Sequence, residues 1–93
     1  MNYLIDLRTA SDKKEIHDLL TRALELPPHY GRNLDALWDC LTSELCIPCE
    51  IHLTVGTEAS PYLQALLDLF ERAQAWHARR GHAVQLYIKK PLQ

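Results

Sequence analysis

Apolar residues along this chain fall into six periodic runs, and each run marks one element. Tyr3-Leu4-Ile5-Asp6-Leu7 is a short β-prone run and predicts a first strand. Ile16, Leu19, Leu20, Ala23 and Leu24 then recur at helical spacing, which predicts a helix over roughly 12–25 with Ser11 as its cap and Asp12 and Glu15 in its first turn. Pro27-Pro28 stops it, since proline lacks an N–H and restricts the residue before it. Gly31 permits a bend, and Asn33 caps a second helix from Leu34 to about Ser43 whose apolar positions are Leu34, Leu37 and Leu41. After Pro48 the period falls to two. Cys49, Ile51, Leu53 and Val55 alternate with Glu50, His52 and Thr54 as in a half-covered strand that ends at Gly56. Ser60-Pro61 opens a third helix with Leu63, Leu66, Leu67, Phe70 and Ala73 on its buried stripe and Gly81 as its C-terminal cap. Val84, Leu86 and Ile88 form a last strand. The order β-α-α-β-α-β predicts an α/β fold, a small three-stranded parallel sheet flanked by helices.

A chain of 93 residues is expected to form one domain over 1–93, and 47% hydrophobic with 24% charged residues is a globular composition. The net charge of −2 hides a strong segregation. Residues 33–71 hold seven acids and no Lys or Arg, whereas residues 72–93 hold five bases and no acid. A near-neutral total argues against general nucleic-acid binding. The N-terminus lacks a signal-peptide pattern, and no apolar run approaches the ~18–20 residues that span a bilayer. The expectation is a soluble, cytoplasmic protein without membrane contact. Three cysteines, Cys40, Cys46 and Cys49, do not suit a disulfide framework and are read as reduced thiols.

The second helix carries the clearest chemistry. At ~100° per residue, Asp35, Trp38, Asp39 and Thr42 share one side, opposite the leucines. If the leucines face the core, two aspartates and a tryptophan face outward beside the turn residues Tyr30, Gly31 and Asn33. Acids four apart repel mildly, so helix stability alone does not select them. Tryptophan is the residue type most enriched in binding hot spots.

The segment Leu26-Pro27 through Tyr30-Gly31, followed by Asn33-Leu34-Asp35-Ala36-Leu37-Trp38-Asp39-Cys40-Leu41-Thr42, strongly resembles the barstar family, intracellular inhibitors of barnase-type ribonucleases. Outside residues 26–42 the likeness is loose, although the order of elements agrees. The resemblance implies an inhibitor or immunity protein with no enzymatic activity and no cofactor or metal. Its partner would be a basic microbial ribonuclease or RNase toxin domain, bound one to one. In such proteins the helix and its preceding turn enter the nuclease active site. An aspartate at the position of Asp39 then occupies a substrate-phosphate pocket among arginines, lysine and histidine. The implied contacts are His29, Tyr30, Gly31, Asn33, Leu34, Asp35, Trp38, Asp39, Thr42 and Glu44. His29 and Glu44 depart from the aromatic residues of the best-known member, Arg32 replaces an acid, and Arg72 aligns approximately with an acidic contact. The retained centre and altered rim imply a different cognate nuclease.

Other readings compete. Asp35 and Asp39 could form the acid–base pair of a small enzyme, or the fold could bind a basic protein that is not a nuclease. Cys46-Ile47-Pro48-Cys49 has the spacing of a redox motif, but it follows a helix and leads into a strand, the reverse of the usual setting. Cys46, Cys49 and His52 give three loosely spaced ligands where zinc needs about four. Structural cysteines, buried or partly buried, are the expectation. The five histidines share no motif and are expected to be surface or satisfied residues. The Arg79-Arg80 and Lys89-Lys90 pairs read as a helix end and a strand end. If His29 packs against a partner cation, its protonation adds repulsion, so affinity should drop between about pH 7.5 and about pH 5.5. Equal affinity at the two values in a titration of the complex would remove His29 from that role.

Overall fold

The computed structural model describes residues 1–57 and 60–91. Glu58, one of the acids counted above, lies outside the described residues. The elements are β1 (Asn2–Asp6), α1 (Lys13–Leu24), α2 (Leu34–Ser43), β2 (Cys49–Thr54), α3 (Pro61–Arg79) and β3 (Val84–Lys89). The strands form one parallel sheet in the order β1-β2-β3, in agreement with the predicted architecture. Tyr3 pairs with Ile51 and Ile51 with Leu86, while Ile5 pairs with Leu53 and Leu53 with Ile88. These two rows lie on the covered side, and side-chain alternation places the next residues on the opposite face.

The helices cover only one face of that sheet. On the other, Leu4, His52 and Tyr87 form a row in register, with Leu4 and Tyr87 exposed. The His52 ring stacks on Tyr87 at a centroid distance of 4.9 Å, and its Nε2 lies 3.0 Å from Glu50 Oε1. Parallel sheets are usually buried on both sides. Here β1 and β3 alternate buried and less buried residues, which explains why the strands do not read as continuous apolar runs.

The core lies between sheet and helices. Leu20, Leu37, Leu41, Leu53 and Leu66 are fully buried, with Phe70 beside them. Helix α1 packs on β1, α2 on α3, and α3 on β3. One cap differs from expectation. Asp12, not Ser11, is the N-cap of α1, and its carboxylate accepts from the Glu15 N–H at 2.8 Å. A carboxylate beside a helix N-terminus benefits from both the hydrogen bond and the dipole, so it displaces the hydroxyl one position earlier. The predicted Asn33 and Ser60 caps are both present, and Gly81 takes the left-handed conformation just past α3, at φ 72°.

A buried histidine joins three parts of the fold. His17 of α1 is bonded through Nδ1 to the Tyr30 hydroxyl at 2.7 Å and through Nε2 to the Tyr62 hydroxyl at 2.6 Å. In the neutral ring one nitrogen donates and the other accepts, and each tyrosine hydroxyl can supply the complement. Burial, and secondarily the Arg32 charge, hold the His17 pKa below its ordinary 6.5. The unfolded chain therefore takes up this proton more readily, so the stability contribution is complete above about pH 6.5 and declines as pH falls below it. Urea unfolding at several pH values should show that acid limb flattened in His17→Gln, together with a loss of about 1–3 kcal/mol near neutrality. An unchanged acid slope in the variant would assign the pH dependence to other groups.

Candidate functional site

Three backbone features aim the start of α2. Gly31 approaches so closely that an added Cβ would lie 3.1 Å from the Ala36 Cβ. Arg32 adopts a left-handed conformation, φ 58°, and its guanidinium is paired with Asp18 of α1. Asn33 Oδ1 then accepts from the Ala36 N–H at 2.7 Å. Arg32 is thus tied to the body of the protein, which was not apparent in the sequence.

Burial of Leu37, Cys40 and Leu41 fixes the roll of α2 and leaves Asp35 and Asp39 exposed. Trp38 is half-buried and meets Trp76 of α3 edge-on, with centroids 6.5 Å apart and an interplanar angle of 79°. Aromatic pairs favour that arrangement. The Arg80 guanidinium lies over the Trp76 ring, 3.6 Å from its centroid. Trp38 is therefore braced from behind while keeping one edge available.

Two hollows meet at Asp39. One, of about 360 Å³, is lined by Asp35, Trp38, Asp39, Leu69 and Arg72. The other, of about 230 Å³, lies against the preceding turn and includes His29, Gly31, Asp39 and Glu44. The structure brings His29, Asp35, Trp38, Asp39 and Glu44 onto one continuous surface. Leu34 is half-buried and reaches a neighbouring hollow with Asp68 and Glu71, while Asn33 is exposed but committed to its cap.

Tyr30 lines the hollow at the turn although it is largely buried, and Thr42 is half-buried near the end of α2. Tyr30 is buried, with its hydroxyl on His17, because the turn folds it inward toward α1 and α3. Burial raises its pKa, so it remains a neutral phenol. Thr42 donates its hydroxyl to the Trp38 carbonyl at 2.9 Å, which turns it onto its own helix. Tyr30 thus forms an inner wall of that hollow, and Thr42 is engaged with its own helix.

Sequence reasoning did not assign Leu69, Trp76 or His77 of α3 to this surface. Leu69 and Trp76 stand two helical turns apart, outside the stripe identified from Leu63 to Ala73, and they form a second facet directed at α2. That i, i+7 pair was the available signal. His77 follows. Its Nε2 donates to the Leu41 carbonyl at 2.7 Å, and its Nδ1 lies 2.9 Å from His82 Nδ1. A carbonyl only accepts, so Nε2 holds the hydrogen and Nδ1 of the neutral ring accepts from His82. The Leu41 carbonyl belongs to the last turn of α2, where carbonyls lack intrahelical donors. His77 supplies one and pins that end of α2 to α3.

Around a further hollow the charged side chains are engaged within the protein. A hollow of about 480 Å³ beyond the sheet includes Arg8, Asp12 and Lys13. Arg8 grips Asp6 with two side-chain bonds of 2.9 and 2.7 Å, which lowers the Asp6 pKa to about 2, while Asp12 caps α1 and Lys13 lies over the Tyr62 ring. Cys40 and Cys49 are buried, whereas Cys46 is exposed, contrary to the expectation of buried or partly buried cysteines. Burial pushes both buried thiols upward in pKa, and nearby Glu44 and Asp39 add to the effect at Cys40. The Cys46 N–H donates to the Tyr3 hydroxyl at 2.9 Å, so this loop has a structural anchor. Among the described residues, no three His, Cys, Asp or Glu side chains gather as a metal site, and no helix is long and apolar enough to cross a membrane.

Comparison with known proteins places this geometry in context. The family model described as Barstar (barnase inhibitor) matches residues 1–89. A Bacillus subtilis (strain 168) protein described as "Putative ribonuclease inhibitor YrdF" is 37% identical over 75 residues, which is 76% of this chain and 82% of that protein.

The anchoring of α2 is open to measurement. His77→Ala should cost about 1–3 kcal/mol in urea unfolding, because the Leu41 carbonyl loses its buried donor. Faster hydrogen exchange at the C-terminal end of α2 should accompany that loss. Wild-type exchange there would show that His77 does not hold the helix.

Proposed function

The chain belongs to the barstar family, and on that premise we propose that it binds a basic ribonuclease of barnase type and blocks its active site. The Asp39 carboxylate takes the place of a substrate phosphate. Asp35 engages the same basic cluster, and Trp38 packs against the partner and excludes water. The observation that carries this reading is the position of Asp39, exposed at the junction of two hollows and flanked by Asp35 and a braced tryptophan.

Charge-assisted and bidentate bonds from arginine to a carboxylate are strong and directional. The acids of the middle segment add a negative field, which speeds encounter with a basic protein. Both aspartates are exposed on a helix surface. That setting favours capture of a partner's cations over acid–base chemistry, which profits from an enclosed, water-poor site. The action is non-enzymatic, takes place in the cytoplasm and involves one inhibitor per nuclease. The cognate nuclease is a secreted RNase or a toxin domain against which the protein confers immunity.

RNA hydrolysis by a barnase-type ribonuclease encoded beside this gene provides the test. Asp39→Ala should weaken inhibition by at least ~2 kcal/mol, about thirtyfold, the barnase–barstar pair being the familiar example of such coupling. Asp35→Ala should also weaken it, and added salt should slow association of the wild type. Full inhibition by both variants would sink the phosphate-mimic mechanism.

A further inference from the structure

Arg72 is a cation inside the acidic face. It lines the hollow that contains Asp35, Trp38 and Asp39, and also the adjoining one that contains Asp68 and Glu71. Four carboxylates therefore surround the two hollows that Arg72 separates. Yet among the described residues no carboxylate lies within 4.0 Å of its guanidinium, and the side chain is exposed. The other acidic-face neighbours do not cover it.

We propose that Arg72 sets partner selectivity, excluding nucleases whose basic cluster continues across this hollow and favouring one that places an anionic side chain beside that cluster. The inference rests on the ribonuclease-inhibitor reading above and adds the charge pattern of the partner. A cation drawn to Asp35 and Asp39 comes to rest in the hollow that Arg72 also lines. Like charges at such range repel, and the repulsion grows as docking expels water. An aspartate or glutamate on the partner converts that repulsion into a pair, for which the planar guanidinium fork is well shaped. Specificity of this kind comes from a built-in repulsive element as much as from the attractive pair.

The experiment uses barnase as a probe whose active site, by the family resemblance, offers arginines, lysine and histidine to this helix. Inhibition constants are measured for the full chain, Arg72→Ala, Arg72→Glu and Asp39→Ala at low and moderate salt. Arg72→Glu should inhibit barnase at least about tenfold more tightly than the wild type, with Arg72→Ala between them and the gain shrinking in salt. Melting temperatures should match the wild type, since the side chain is exposed. Inhibition that depends on Asp39 but stays within about twofold for all residues at position 72, or that weakens in Arg72→Glu, overturns the selectivity claim alone. No inhibition of barnase by the wild type or by either Arg72 variant also overturns the selectivity claim. The ribonuclease reading itself falls only if the nuclease encoded beside this gene is not inhibited either.

Discussion

The roll of α2 about its own axis is the constraint on which the surface depends. Leu37 and Leu41 are fully buried and Cys40 nearly so, and no other rotation hides all three. Asp35 and Asp39 face solvent as a consequence. Their exposure is the geometric remainder of core packing, and the turn at Gly31–Asn33 and the His77 bond to the Leu41 carbonyl fix the helix at its two ends. A slip of the core by one residue would move the acids out of place together.

Support for the site comes from residues far away in sequence. Tyr30 draws the turn inward through His17, which in turn reaches Tyr62, so α1, the turn and α3 share one buried polar chain. On the other side Trp38 rests on Trp76, and Trp76 lies under Arg80. The exposed surface is thus backed by two arrays of aromatic and histidine rings. Rigid backing lowers the ordering cost of binding, since less conformational freedom is left to lose.

Much of this was legible in the sequence because it is local. The leucine spacing of α2, the Asn33 and Ser60 caps, and the period-two alternation of β2 all depend on residues within a few positions of one another. The one misplaced cap, Ser11 against Asp12, is a contest between adjacent residues that differ only in acceptor strength. What escaped is non-local. Tyr30 sits in a turn that reads as exposed, and only the partner hydroxyls and imidazole supplied by other elements make its burial favourable. Arg72 could be numbered against a family pattern, but its place in a hollow with Asp35 and Asp39 requires two helices to be docked. The His77–His82 pair and the open face of the sheet are likewise products of assembly, not of periodicity.

The parallel order of the sheet has a consequence for when the α2 surface takes shape. Neighbouring strands cannot pair through a hairpin, so β1 waits for β2 and β2 for β3 across long intervening segments. Helix α2 lies within the first of those crossovers, and the side chains that brace it come from the second. A chain still emerging from the ribosome can carry Asp35, Trp38 and Asp39 without yet presenting them. Trp76, His77 and Arg80 complete the backing, and that face takes its final form only once α3 has docked on α2.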